Sequence, residues 1–291
     1  MQGRGERNML DRAYVEITNI CNLKCAFCPS TKRAPRMMEL SEVETVFVKL
    51  RGKVKTVLLH VMGEPLTHPD LTSILDKAKE LGLRIDITTN GTLLHSLADE
   101  ILAHGEAIGR VSISLHAPEG NGADISHGSY LKSVVDFGKR LSALDKNTVY
   151  RLWNLDTDER LGANSGNSYT EEFLHSEYGG EWEKRYSGYR IGQRAFLEYD
   201  GIFTWPSESE AEKICSGTCH ALRSQIAILS DGTVVPCCLD SDGAMPLGNI
   251  FDQTLDEILA TDRAVRMLEG FRNKRFVEPT CQKCTYARRF K

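Results

Sequence analysis

Cys21, Cys25 and Cys28 stand in the spacing Cys-x3-Cys-x2-Cys. The chain has nine cysteines; the other six are at 215, 219, 237, 238, 281 and 284, and residues 29–214 contain none. An odd count argues against a complete disulfide framework. Buried cysteines acting as small hydrophobes would be scattered along the chain. Thiols grouped in this way in a reducing compartment point instead to metal binding. An iron–sulfur cube takes a thiolate on each of its irons. Three close thiolates leave one iron without a protein ligand, and an open position is what a catalytic metal centre needs. A structural zinc site is the competing reading of the same triplet.

The elements that must position this triplet alternate in type. Residues 14–18, 57–61, 85–89, 111–115 and 148–152 are short apolar or β-branched runs of the kind that form buried strands. Amphipathic stretches separate them. Ser41 is placed to cap a helix reaching about Leu50, with Glu44 completing a capping box. The apolar spacing of Leu71, Ile74, Leu75 and Ala78 predicts a helix over 70–81, and Gly82 fits its stop. Residues 93–104 and 130–144 read as further helices. Strand and helix in alternation imply a parallel sheet with right-handed crossovers, as a doubly wound sheet or an open barrel. The triplet then lies in the loop after the first strand.

Beyond Asn154 the pattern loosens. A helix is expected over 171–178 and a strand over 194–199. Residues 206–212 are the most linker-like stretch, which divides the chain into units 1–205 and 206–291. In the second, 225–229 and 233–235 read as a hairpin around Asp231-Gly232, residues 255–268 as one helix, and Cys281 and Cys284 as part of a terminal loop. A unit this small with few large apolar residues often needs a metal to hold it together.

Composition excludes some roles. Apolar residues make up 41% and charged residues 26%, as in ordinary globular proteins, so a sizeable core is expected. A formal net charge of −4 gives no general attraction for a nucleic-acid backbone, so tRNA or DNA is not an expected substrate. No apolar run approaches the ~20 residues that span a bilayer. Residues 1–10 lack the apolar core of a signal peptide. A cytoplasmic protein away from membranes is the expectation.

Cys-x3-Cys-x2-Cys after the first strand of a βα repeat resembles the radical S-adenosylmethionine (SAM) superfamily. The resemblance implies an open parallel (β/α)6 barrel carrying a small C-terminal cysteine-rich metal-binding domain. It also implies a [4Fe–4S] cluster on Cys21, Cys25 and Cys28 whose open iron chelates SAM. One electron, from a flavodoxin- or ferredoxin-type donor, cleaves SAM to a 5′-deoxyadenosyl radical that abstracts hydrogen from substrate. Met62-Gly63-Glu64-Pro65 resembles the family's Gly-Gly-Glu-Pro motif, with Met62 in place of the first glycine; Gly63 and Glu64 would then bind the cofactor's amino group. Phe27 matches the aromatic position near the adenine, and Ser114 the serine that binds ribose or carboxylate. Each also has a plain reading: a packing ring, and a residue of a solvated or barrel-lining strand face, as for Ser112. Thr89-Asn90-Gly91 is either a simple turn or a turn at the cofactor. Arg151, inside an apolar run, must meet a carboxylate, the cofactor's or that of a protein Asp or Glu. His60 and His116, at strand ends, are packed or solvated histidines or lie near substrate.

Cys219, Gly232, Cys237 and the pair Cys281 and Cys284, with Leu247-Gly248-Asn249-Ile250, resemble the SPASM/Twitch extension of these enzymes. The resemblance implies one auxiliary [4Fe–4S] cluster on Cys219, Cys237, Cys281 and Cys284, with Cys238 either replacing Cys237 or left as a free thiol and Cys215 spare. A four-cysteine zinc site and unliganded thiols are the alternatives. Such extensions accompany modification of peptides or proteins, so a peptide substrate is expected ahead of a small metabolite. A free Cys238 would return a hydrogen atom to a substrate radical. The roughly twelve residues before the first strand leave no room for a leader-binding domain. A non-catalytic iron–sulfur or zinc protein is the reading of a different class.

Overall fold

The computed structural model describes residues 9–118, 126–154, 167–201, 205–206 and 213–290. The expected linker therefore lies outside the described residues, apart from Pro206. The strands are β1 (Leu10–Val15), β2 (Val54–Leu58), β3 (Ile85–Thr89), β4 (Ile108–Ser114), β5 (Asn147–Asn154), β6 (Glu183–Arg185), β7 (Gly188–Arg190), β8 (Ala195–Gly201), β9 (Gln225–Ile228), β10 (Thr233–Val235) and β11 (Gly248–Asn249). The helices are α1 (Leu40–Leu50), α2 (Leu71–Glu80), α3 (Leu94–Ala103), α4 (His127–Ala143), α5 (Ser168–Tyr178), α6 (Leu255–Leu259), α7 (Asp262–Arg272) and α8 (Pro279–Lys283).

One sheet orders all eleven strands as β11-β10-β9-β1-β2-β3-β4-β5-β8-β7-β6. From β9 through β8 the pairs are parallel, and each edge ends in an antiparallel hairpin. The sheet stays open, and its strands alternate with helices as the sequence pattern requires.

Because side chains alternate along a strand, register sorts the sheet into two faces. Ala13, Val15, Val57, Ile85, Ile87, Val111, Ile113, Tyr150, Leu152 and Leu197 lie on one face. They form one core with Val43, Val46 and Phe47 of α1, Ile74 and Leu75 of α2, and Leu131, Val134 and Phe137 of α4. The other face carries Arg12, Tyr14, Asp86, Arg110, Ser112, Ser114, Arg151, Glu198 and Asp200, joined strand to strand by the same register. The apolar face holds the helices, and the polar face is left for chemistry.

Local details depart from expectation where a different capping group wins. α1 begins at Leu40, not after Ser41: the Glu42 carboxylate accepts the Glu39 N–H at 2.9 Å, two residues ahead of the expected Ser41–Glu44 box. α2 ends as expected, with Gly82 at φ +67° and Leu83 N–H donating to the Ala78 carbonyl at 2.8 Å, a Schellman closure. The single helix expected over 255–268 is two. Thr254 and Glu257 box the start of α6, and Thr261, whose side chain accepts from Ala264 N–H, starts α7 afresh. The β6–β7 hairpin and the short β11 have no clear sequence signal.

The C-terminal segment does not form a sheet of its own. β9 runs parallel to β1, with Arg12 opposite Gln225 and Val15 opposite Ile228. Just past β1, the fully buried Glu16 fixes this joint. Arg33 Nη2 donates to its two oxygens at 2.6 and 2.7 Å, and the backbone N–H groups of Met62 and Ser230 donate at 3.1 Å each. Arg33 also reaches the Ser241 carbonyl at 2.8 Å. Removing one partner of a buried, hydrogen-bonded ion pair costs about 3–5 kcal/mol. Glu16→Ala is therefore expected to lower unfolding free energy by about 3 kcal/mol or more in urea denaturation. Asp11→Ala, which breaks the exposed and solvent-screened pair with Lys55, should leave the urea midpoint nearly unchanged. Equal effects of the two would mean the joint does not depend on Glu16.

Candidate active site between two cysteine groups

The loops at the C-terminal ends of the parallel strands form the site, as in other parallel α/β sheets. The cysteine loop after β1 is pinned at its base. Thr18 bridges Met37, and the Asn19 side chain donates to the Ala34 carbonyl at 2.9 Å and accepts Arg36 N–H at 2.7 Å. Within it Cys21 and Cys28 are exposed and Cys25 is half-buried. The Cys21 sulfur receives the Leu23 N–H at 3.4 Å and the Asn90 side-chain amide at 4.0 Å. Burial, then the nearby Glu64, Cys25 and Cys28, raise the Cys21 thiol pKa.

Glu64 follows β2 and is 2% exposed. Its Oε2 accepts Asn90 N–H at 2.7 Å and its Oε1 accepts Leu66 N–H at 3.1 Å. Burial outweighs these bonds and lifts its pKa to about 7. A buried carboxylate of this kind favours a cationic partner. Gly63 sits at φ +74°, and a Cβ there would lie 2.5 Å from the Thr18 carbonyl oxygen. Only glycine lets this turn lie against the start of the cysteine loop.

Asn90 links the two loops. Besides binding Glu64, its side chain donates to Asn22 at 2.9 Å. Its carbonyl lies 2.8 Å from the Tyr130 hydroxyl, which is also 3.0 Å from the Ser114 carbonyl. Gly91, at φ +77°, would meet Ile113 and Val134 at 2.8 Å if it carried a Cβ. Thr89-Asn90-Gly91 is thus a clamp on Glu64 and the cysteine loop as well as a turn. Phe27 packs edge-on to His116 with centroids 6.1 Å apart and lies 6.4 Å from the Trp153 ring. Ser114 is half-buried on the polar face.

The second cysteine group surrounds a cavity of about 380 Å³. Cys219, Cys237, Cys238, Cys281 and Cys284 line it together with Arg12, Tyr14, His60, Arg151 and Asp200 from the core. Burial raises the Cys219, Cys237 and Cys281 pKa values; next to burial, Cys238, Cys219 and Cys281 act on Cys237, and Cys219 and Cys284 on Cys281. Cys237 packs with the main core, whereas Cys238 packs with the separate cluster of Tyr14, Leu58, Val61 and Met62. Burial pushes the Cys238 thiol up to about 11, and its hydrogen-bonding neighbour is the Tyr14 hydroxyl. Cys215 is exposed and lies outside the cavity wall. His60 stacks edge-on against Tyr14 with centroids 5.3 Å apart, and burial, Arg151 and Arg110 lower its pKa to about 3.

Among the described residues no three His, Cys, Asp or Glu side chains converge closely enough to hold a single metal ion. Ligands of zinc must close to about 2.3 Å around one point. Thiols set apart around an open space suit a cluster held at its corners.

Residues 15–161 match the family model described as the Radical SAM superfamily. The chain belongs to this superfamily. Residues 219–285 match a second model, SPASM, described as an iron–sulfur cluster-binding domain. This radical SAM enzyme therefore uses SAM, a [4Fe–4S] cluster and an auxiliary iron–sulfur cluster. It is 32% identical over 112 residues to a protein of Sulfolobus acidocaldarius named "Probable GTP 3′,8-cyclase", a match covering 37% of this chain and 35% of that one. The shared stretch is thus about a third of that relative's length.

Solved structures share the fold. BtrN in complex with AdoMet and 2-DOIA aligns with TM-score 0.59 and 17% identity over 96% of this chain and 94% of that one. Streptococcus suis SuiB bound to precursor peptide SuiA aligns with TM-score 0.59 and 18% identity over 95% and 70%. Among the described residues no helix is long and apolar enough to cross a membrane.

Sequence reasoning passed over Glu16, Arg33, Tyr14 and Tyr130. A charged residue in an apolar run, Glu16 beside Val15 and Ile17, was the available signal.

Two outcomes follow from this geometry. Gly63→Ala should displace the Met62–Pro65 turn and weaken SAM binding at least about tenfold, read by equilibrium titration, because backbone cannot yield to the new Cβ. The folded Glu64 pKa of about 7 lies above its ordinary 4.5, so folding retains a proton in that window. Its contribution is complete below the unfolded value and is lost as pH rises through the folded one. In cofactor-free protein, urea midpoints from about pH 5 to about pH 8 should fall more steeply than in Glu64→Gln. Parallel pH profiles would show Glu64 ionised throughout.

Proposed function

We propose that this enzyme abstracts hydrogen from a peptide or protein substrate held in the cavity that the C-terminal cysteines line. The observation that carries the reading is the wall of that cavity, where the C-terminal cysteines face Tyr14, His60 and Arg151 of the core sheet. Cys21, Cys25 and Cys28 would hold the first cluster, and the exposure of Cys21 and Cys28 would leave it open to a flavodoxin- or ferredoxin-type donor. Cys219, Cys237, Cys281 and Cys284 hold the auxiliary cluster. Cluster and SAM together supply the 5′-deoxyadenosyl radical.

The chain's own residues do the rest. Gly63 turns the backbone so that Glu64 faces the cofactor's ammonium, and the ionised carboxylate pairs with it. Asn90 keeps Glu64 in place through its N–H. Phe27 offers its ring to the adenine, and Ser114 its hydroxyl to ribose or carboxylate. Cys238, packed against a different apolar cluster from Cys237, serves as a hydrogen donor. Its raised pKa keeps the S–H intact at neutral pH. The S–H bond breaks, a C–H bond forms on the substrate carbon, and the thiyl left behind is restored by one electron from the external donor and one proton.

The peptide reading is supported by the shared fold of SuiB, whose structure holds a precursor peptide. A small-metabolite substrate is the second reading, favoured by the local identity to the protein named as a GTP cyclase.

Anaerobic reconstitution with iron and sulfide, followed by SAM and dithionite, should give 5′-deoxyadenosine, and Cys25→Ala should reduce it to background. No product above that control would defeat the reading. For Cys238, turnover in heavy water should place deuterium in the product, and Cys238→Ala should lose that label. Full turnover with retained label would remove Cys238 from the mechanism.

A further inference from the structure

Arg151 sits on β5, opposite Ser114 of β4 and Glu198 of β8. It is half-buried in the cavity wall, and among the described residues its guanidinium has no hydrogen bond or ion pair. A cation partly withdrawn from water without a partner calls for an explanation. The described acids do not supply one. Asp200, in the same wall, is paired with Arg289 at 2.8 Å. Asp240, also in the wall, accepts the N–H groups of Ala244 and Met245 at 2.8 Å each. Asp86 pairs with Arg110 at 3.1 Å. Glu198 is the register partner of Arg151, yet no ion pair joins them and Glu198 does not line the cavity.

We propose that Arg151 anchors a carboxylate of the substrate, so that the cavity takes an acidic residue of a peptide, its side chain or terminal carboxylate on the guanidinium and its reacting carbon toward Cys238. The proposal rests on reading this cavity as the substrate site. Three observations favour it over the other anions. A guanidinium matches a planar carboxylate with two parallel N–H donors. Asp200 and Asp240 in the same wall disfavour a multiply charged phosphate, which they would repel. Arg151 shares its cavity with the auxiliary cysteines and Cys238, whereas Cys21, Cys25, Cys28, Gly63, Glu64 and Ser114 are absent from its wall. That lining favours substrate, and because Ser114 is the register neighbour of Arg151, titration with SAM separates substrate from the cofactor's carboxylate.

The test is calorimetric titration of the reconstituted holoenzyme with SAM present. The probes are N-acetyl-glutamate amide, its neutral match N-acetyl-glutamine amide, and inorganic pyrophosphate. The acidic probe is expected to bind at least about tenfold more tightly than the neutral one, the scale of a charge-assisted hydrogen bond. Arg151→Gln should erase that preference, and Arg151→Lys should restore part of it. SAM affinity, titrated separately, should change less than about twofold across the three proteins.

Four results would overturn the proposal: no preference for the acidic probe, a preference that survives in Arg151→Gln, tighter binding of pyrophosphate than of the acidic probe, or a loss that falls on SAM instead. Failure of the unaltered enzyme to form 5′-deoxyadenosine would overturn the functional reading beneath it, and is measured independently of these titrations.

Discussion

The buried carboxylate of Glu16 is the constraint on which the arrangement of the site depends. It gathers donors from three separate parts of the chain: the Arg33 side chain after the cysteine triplet, the Met62 backbone at the start of the Gly63–Glu64 turn, and the Ser230 backbone at the turn after β9. A fully buried charge needs all of these partners, because each lost bond leaves desolvated charge behind. The same requirement holds the first cysteine loop, the Gly63–Glu64 turn and the C-terminal hairpin in one fixed relation. Thr31 and Lys32 strengthen that joint through the Asp242 carboxylate at 2.8 and 2.9 Å.

The sheet makes this possible by dividing its two faces. The apolar side chains of β1 to β5 and β8 bury the helices, which supplies the packing energy. Polar side chains of the same strands, among them Arg12, Tyr14, Arg151 and Asp200, face the cavity that the C-terminal cysteines line. Polar groups on a strand are tolerable where they bind each other or a ligand. Asp86 and Arg110 pair with one another on the polar face, whereas the Arg151 guanidinium has no hydrogen bond or ion pair among the described residues. The auxiliary cysteines close one side of the same space, since β9 extends the core sheet and carries them in on its flank.

Much of this was legible in local pattern. The strands expected at 85–89 and 148–152 and the helix over 70–81 follow from apolar periodicity and a glycine stop, and the structure places them within a few residues. The helix expected over 255–268 broke because Thr261 offers a better local cap than continued helix. The Ser41 cap was displaced for a related reason: Glu42 binds the Glu39 N–H two residues earlier. Short polar side chains compete for backbone groups over a few residues, and sequence alone does not rank those competitors.

At the site, the sequence by itself determined the chemistry: three thiols in Cys-x3-Cys-x2-Cys, a Gly-Glu turn after the second strand, and a second group of thiols near the C-terminus. These are local, because ligand type and spacing along a loop are written in consecutive residues. Only the tertiary structure decided which groups meet. It packed Cys237 and Cys238 against different apolar clusters, drew Asn90 onto both Glu64 and the cysteine loop, and put Arg151 in the cavity wall beside the auxiliary cysteines with no ion pair among the described residues. Those relations join residues tens to hundreds of positions apart. They depend on strand order and register, which arise only when the whole sheet closes its apolar face against the helices.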